Sequence, residues 1–158
     1  MVSIRTANRE DLPAVDALIR TTSPQASPLP PEEYPDSFVA KAQPEDILVA
    51  LLDEQVVGFV KLGRPSPMAT NAHVLMIAGL AVDPQRHGLG LGHSLVEAAV
   101  EEARARGARR LTLHVLGRNS RARALYSSVG FVVEGVLREE FLLDGEYVDD
   151  VLMALDLT

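Results

Sequence analysis

A chain of 158 residues without cysteine is long enough to bury its own core, and it excludes disulfides, thiolate nucleophiles and cysteine metal sites. Its 22 acidic against 15 basic residues give a net charge of −7, which disfavours unaided binding to nucleic acid or an anionic membrane. The start VSIRTANREDLPAV is too polar for a signal peptide and no run reaches the roughly 18 apolar residues of a membrane span, so the expectation is one soluble, cytoplasmic domain over 1–158 with no nucleic-acid or membrane partner.

Ser3 to Ala7 alternates like a strand, and Glu10-Asp11 introduces a helix whose Leu12, Val15, Leu18 and Ile19 share a face. Six of the ten prolines fall between Thr21 and Pro44, so that stretch is not one helix; a short helical piece is expected around Asp36 to Ala42, and the segment is a candidate wall over a substrate site. Ile47 to Leu52 and Val56 to Leu62 are β-rich runs separated by Asp53-Glu54-Gln55, which reads as a hairpin. Gly63 to Ala72 is a loop, and the apolar run His73 to Ala81 is the central strand.

A helical pattern begins at about His93, with Leu95, Val96, Ala99, Val100 and Ala103 on one face and Gly107 placed to end it. Leu111 to Val115 is the next strand, and a strand–helix–strand unit of this length favours parallel pairing. Asn119 starts a second short helix in which Ala122, Leu125, Tyr126 and Val129 share a face and Gly130 closes it. Phe131 to Leu143 and Glu146 to Leu157 then flank Asp144-Gly145, a two-residue hairpin signal. The expected fold class is α/β in the α+β sense: a mixed, mostly antiparallel sheet with helices on both faces.

Between the central strand and its helix lies VDPQRHGLGLGHSLV, Val82 to Val96, with glycines at 88, 90 and 92. Glycine lets the backbone turn tightly and approach a ligand, and the first turn of the following helix offers unpaired N–H groups and a partial positive charge. Such a turn cradles phosphate. A Walker loop is a poor match because no lysine follows Lys61, and so is a Rossmann fingerprint, which lacks its third glycine. An ordinary glycine-rich turn is the plain alternative.

This stretch resembles the acyl-CoA pyrophosphate loop of the GNAT superfamily of N-acetyltransferases, with His87 standing where that family usually has Arg or Gln. The stretch LHVLGRNSRARALYSSVGF, Leu113 to Phe131, resembles the family's other signature: a strand of type L-x-V, an Asn four residues on, then A-x-x-L-Y-x-x-x-G-F. The similarity also runs through the opening strand and helix and into the closing hairpin, so that it covers nearly the whole chain, 21–45 and 63–72 least. The resemblance, strongest to the ribosomal-protein alanine acetyltransferase branch, implies a GNAT-like sheet with a splayed parallel pair. It implies acetyl-CoA as co-substrate and an amine acceptor attacked directly in a ternary complex, and no HxxxH-type spacing suggests a metal. The pantetheine arm would pair with Leu80, Ala81 and Val82, and the pyrophosphate would lie against His87, Gly88, Leu89, Gly90, Leu91, Gly92 and His93. Asn119 would hydrogen-bond the arm, although a plain helix N-cap explains it equally well.

By the same resemblance Tyr126 matches the tyrosine that protonates the departing thiolate; a core tyrosine is the alternative. The base position, a Glu in the related branch, is His114 here. An imidazole, with an ordinary pKa of about 6.5, suits a base working near neutral pH, directly or through water. A half-buried histidine with a structural hydrogen bond is the other reading. A weak base favours an α-amine or another amine of low pKa over lysine. Arg86, Arg118, Arg121 and Arg123 are candidates for phosphate contact, and Glu32, Glu33 and Tyr34 for the amine. Two functions stay open, an active acetyltransferase and a GNAT-fold acyl-CoA-binding or regulatory module without chemistry. A nucleotide-binding domain of another fold is a third. A homodimer through the terminal hairpin or the proline-rich segment rests on family analogy.

Overall fold

The computed structural model describes residues 1–22 and 42–158. The short helix expected around Asp36 to Ala42, the proline-rich wall, and Glu32, Glu33 and Tyr34 fall outside them almost entirely, Ala42 alone being described. Among the described residues the strands are β1 (Val2–Thr6), β2 (Ile47–Leu52), β3 (Gln55–Gly63), β4 (Val74–Val82), β5 (Arg110–Leu116), β6 (Val132–Leu143) and β7 (Glu146–Asp156). The helices are α1 (Leu12–Thr22), α2 (Leu91–Ala105) and α3 (Ser120–Val129). The strands form one sheet in the order β1-β2-β3-β4-β5-β7-β6. Each neighbouring pair is antiparallel except β4 and β5.

That parallel pair sets up the rest. It is hydrogen-bonded only where Val74, Leu75 and Met76 face Arg110, Leu111 and Thr112. Beyond Met76 the strands separate, while β4 stays paired to β3 as far as Val82 and β5 stays paired to β7 as far as Leu116. A wedge therefore opens between the C-terminal halves of β4 and β5, and it leaves a row of β4 backbone groups without a ladder partner on that side. Unpaired backbone polar groups at the edge of a strand are a template for an added extended segment.

The helices pin the two faces. α2 packs across β2, β3, β4 and α3, with Leu95, Val96, Ala99 and Ala103 fully buried. Their spacing of one, three and four residues places them on one stripe of the helix, while Glu97, Glu101 and Arg104 take the other. Leu111, Leu113 and Val115 of β5, Val151 and Met153 of β7, and Tyr126 of α3 complete that core. On the opposite face α1 lays Leu12, Val15, Leu18 and Ile19 on Ile47, Val49, Phe59 and Ala81. The expected fold and its helices on both faces are thus present.

Element ends shift by a residue or two, for local reasons. Asp53 and Glu54 both hold left-handed φ, 51° and 66°, and Leu52 already faces Gln55, so the first hairpin loop has two residues where three were expected. Asp144-Gly145 turns the last hairpin in the same way, with φ of 52° and 76°. α2 starts at Leu91, two residues before the expected His93, because Gly90 with φ 71° serves as its N-cap. α1 is preceded by a 3-10 turn at Arg9–Asp11, where the Asn8 side chain and the Asp11 carboxylate satisfy each other's backbone N–H as a capping box. No helix among the described residues is long and apolar enough to cross a membrane.

Candidate active site

The wedge continues into a groove of about 1070 Å³ walled by the end of β4, the glycine turn, the start of α2 and the start of α3. Ten of the eleven residues expected to hold the co-substrate line it: Leu80, Ala81, Val82, His87, Gly88, Gly90, Leu91, Gly92, His93 and Asn119. Leu89 does not; it is the exposed residue between the two left-handed glycines and points its side chain into solvent.

The turn is built for a ligand at its backbone. Asp83 closes the end of β4 by donating its N–H to the Val57 carbonyl and accepting from Gln85 N–H at 2.9 Å. Gly88 and Gly90 then take φ of 86° and 71°, a region that costs other residues, and the space a Cβ would fill at either is open. The first intrahelical bond of α2 runs from Ser94 N–H to Gly90. The N–H groups of Leu91, Gly92 and His93 are therefore unpaired within the helix, no side chain caps them, and the positive end of the dipole faces the groove.

The side chains lining the groove include Arg86, Arg118, Arg121, His87 and His93, together with Asp144. Arg121 of α3 donates through Nη2 to His87 Nδ1 at 2.7 Å, which requires His87 to accept as a neutral ring. His93 pairs with Glu97 at 2.9 Å along α2. Arg86 and Arg118 line the groove, whereas Arg123 turns back to the Gly117 carbonyl at 3.2 Å and does not. Asn119 is the N-cap of α3, its side-chain oxygen accepting from Ala122 N–H at 3.1 Å. Asn119 also lines the groove, so the cap and a ligand contact are compatible.

Tyr126 and His114 stand apart from the groove lining and on opposite faces of the sheet. Leu113 and Val115 face the α2 and α3 core that contains Tyr126, so His114, alternating with them, points to the other side. The Tyr126 ring is 7% exposed and meets Phe131 edge-to-face at 5.7 Å; burial holds its hydroxyl protonated well above the ordinary phenol range. His114 is half exposed, and its Nδ1 lies 2.8 Å from Oδ2 of Asp150, a buried residue of β7. The sequence reading missed Asp150. Its signal was an Asp-Asp pair inside the otherwise apolar strand run VDDVLMAL. Ser120, Ala122, Leu125 and Asp144 of the groove lining were also missed, since only the fold brings them there. Among the described residues no group of three His, Asp or Glu side chains is arranged to hold a metal.

The model of the Acetyltransferase (GNAT) family matches residues 12–131, which include the wedge, the glycine turn and α3. The chain belongs to the GNAT family. A mycothiol acetyltransferase of Beutenbergia cavernae is 52% identical over 52 residues, 33% of this chain and 18% of that protein. The [ribosomal protein bS18]-alanine N-acetyltransferase of Escherichia coli K12 is 35% identical over 79 residues, 50% of this chain and 53% of that one. The chain thus spans about half the length or less of these curated relatives. The Salmonella typhimurium protein yncA, solved with its cofactor acetyl-CoA, superimposes with a TM-score of 0.89 over 100% of this chain and 95% of its own at 22% identity, which establishes the GNAT fold.

Proposed function

We propose that this GNAT protein moves an acetyl group from acetyl-CoA to a primary amine, a peptide N-terminus or a small-molecule amine, by direct attack in a ternary complex. The observation that carries the proposal is the wedge between β4 and β5 leading to a turn whose Leu91, Gly92 and His93 amides are unpaired within the helix. An extended pantetheine arm fits beside Leu80, Ala81 and Val82 as an added strand, and a diphosphate fits the amides of the turn. The open space over Gly88 and Gly90 lets phosphate reach the backbone. Asn119 supplies a donor to the arm, and Arg86, Arg118 and Arg121 supply charge.

In this reading His114 accepts the amine's proton from the face opposite α3, directly or through water, and Tyr126 gives a proton to the thiolate from the other. Burial keeps the Tyr126 hydroxyl a donor throughout the working pH range. A sheet opened between β4 and β5 allows the two groups to serve one reaction from its two faces. With no cysteine in the chain, a thioester on the enzyme is not part of the scheme.

A second reading is a GNAT-fold module that binds acyl-CoA without turning it over. It is favoured by one observation, that neither Tyr126 nor His114 lines the groove. Thiol release from acetyl-CoA over a panel of N-terminal peptides, polyamines and small amines, alongside calorimetry with CoA, separates the two. Acceptor-dependent thiol release supports acetyl transfer. CoA binding with no release on any acceptor supports the module, and no binding of CoA at millimolar concentration refutes both.

A further inference from the structure

We infer that Asp150 is the positioning residue of the proton acceptor: its carboxylate holds the Nδ1 proton of His114 and leaves Nε2 to take a proton from the acceptor's ammonium group. The inference rests on the acetyl transfer proposed above.

Strand register makes the pair. In the antiparallel β5–β7 ladder Leu116 faces Asp150 and His114 faces Leu152, so His114 and Asp150 are diagonal neighbours on one face. Their immediate neighbours Val115 and Val151 turn to the opposite face. Asp150 is only 6% exposed. A buried carboxylate is costly unless it is hydrogen-bonded, and among the described residues His114 Nδ1, at 2.8 Å, is the partner its side chain has.

The backbone beside Asp150 is clamped from both sides. Gly117 N–H donates to the Asp149 carbonyl at 2.8 Å, and a Cβ on Gly117 would stand 3.0 Å from the Asp149 Cβ, so a side chain there would crowd Asp149. From the other side the Asp149 carboxylate accepts from Glu139 N–H at 2.9 Å, where β6 bulges and Glu139 takes φ of 53°. A left-handed non-glycine residue persists where surrounding structure determines it. The strand thus presents Asp150 to His114 in one register.

The chemistry follows from the donor and acceptor inventory. An ionised carboxylate only accepts, so the 2.8 Å contact places the ring proton on Nδ1 and the lone pair on Nε2. When Nε2 takes a proton from R–NH3⁺, the pair goes from a net charge of −1 to neutral, and no uncompensated charge is created on a partly buried face. The amine nitrogen then bonds to the thioester carbonyl carbon and the C–S bond breaks. Of the two protons that leave nitrogen, one is matched by the proton gained at the thiol and one reaches solvent. The acceptor class implied is an amine that arrives as a cation.

Ring-nitrogen NMR on ¹⁵N-histidine-labelled protein reads the tautomer without any acceptor. The expected result is Nδ1–H for neutral His114 in the wild type and a shift toward Nε2–H in Asp150→Asn. With an acceptor in hand, Asp150→Asn and Asp150→Ser should lower kcat on the order of tenfold or more with little change in KM. Either change should cost nothing further in a His114→Ala background, since Asp150 acts through His114. A merely structural Asp150 would be equally damaging in both backgrounds, and that result overturns the inference. So does Nε2–H in the wild type. A wild type that acetylates amines with the Nε2–H tautomer refutes this inference alone. One that holds Nδ1–H but acetylates nothing refutes acetyl transfer, and the proton-accepting role of His114 goes with it.

Discussion

Arg121 on α3 reaches 2.7 Å to Nδ1 of His87 in the glycine turn, so one hydrogen bond ties the two walls of the groove together. The guanidinium has only donors, and it gives one to a neutral ring where a phosphate oxygen would accept more strongly. An entering diphosphate therefore competes for Arg121 on favourable terms. Arg121→Ala is expected to weaken CoA binding by about 1 kcal/mol, roughly fivefold, with the loss shrinking as salt rises. His87→Gln, which restores a residue type the family uses there, should leave affinity within about threefold, because backbone amides supply most of the grip. Titration calorimetry at two ionic strengths tests both.

The glycines of the turn separate backbone from packing effects. At Gly90 the φ of 71° is the constraint and the space around it is open, so Gly90→Ala should cost about 1–2 kcal/mol of stability through strain and should weaken CoA binding by misaligning the first amides of α2. At Gly92 the backbone is ordinary helix, but a Cβ would stand 3.1 Å from Leu125 Cδ2 on α3. Gly92→Val should therefore crowd the Leu125 side chain and cost about 1–3 kcal/mol by overpacking. Thermal melts with and without CoA distinguish them. CoA should recover less of the loss in Gly90→Ala than in Gly92→Val, where the amides of the turn keep their aim.

Much of this was legible in the sequence because it is written in local chemistry. The apolar stripes of α1 and α2 carry their own period, Asp144-Gly145 names its own turn, and the glycines at 88, 90 and 92 announce a ligand-facing backbone. What pattern alone does not carry is register across strands distant in the chain. Asp150 meets His114 only because β7 pairs with β5 along its length, 36 residues apart, and hydropathy around Asp150 reads simply as strand. The same limit applies to depth. The spacing of α3 puts Tyr126 on the inward face without its depth, and its ring lies in the core against Phe131, outside the groove lining.

That burial gives Tyr126 two separable signatures. Tyr126→Phe keeps the ring and its edge-to-face contact with Phe131 at 5.7 Å, so the variant should fold normally at neutral pH. Under the proposed mechanism its turnover should fall on the order of a hundredfold while CoA affinity is held. The pH sign is fixed by the raised hydroxyl pKa. In the unfolded chain the phenol ionises near its ordinary value of about 10, whereas in the fold burial keeps it neutral. Above that pH the native state binds more protons than the unfolded one, and stability falls as pH rises. Tyr126→Phe should flatten that alkaline decline. Unchanged turnover would remove the acid role even if the alkaline limb behaved as expected.

At the other end of the fold, Asp11 holds the entry to α1 by three contacts. Its carboxylate accepts from Arg5 at 2.7 Å and 3.2 Å and from the Asn8 N–H at 2.8 Å, while the Asn8 side chain accepts from Asp11 N–H. The hydrogen bond from Arg5 is the largest influence pulling the Asp11 carboxyl below the ordinary carboxylate range; partial burial opposes it and the Asn8 N–H reinforces it. A depressed carboxyl contributes stability that is present above its unfolded value of about 3.9 and is lost as pH falls through the lower folded value. Asp11→Ala removes half of the capping box and leaves Arg5 without this partner, for an expected cost of about 1–2 kcal/mol near neutral pH. The penalty should shrink on acidification, because the wild type loses the same interaction when its carboxyl protonates. Denaturant melts at neutral pH and near pH 3 give the comparison. A penalty that stayed constant between them would mean that Asp11 acts by packing rather than by its charge.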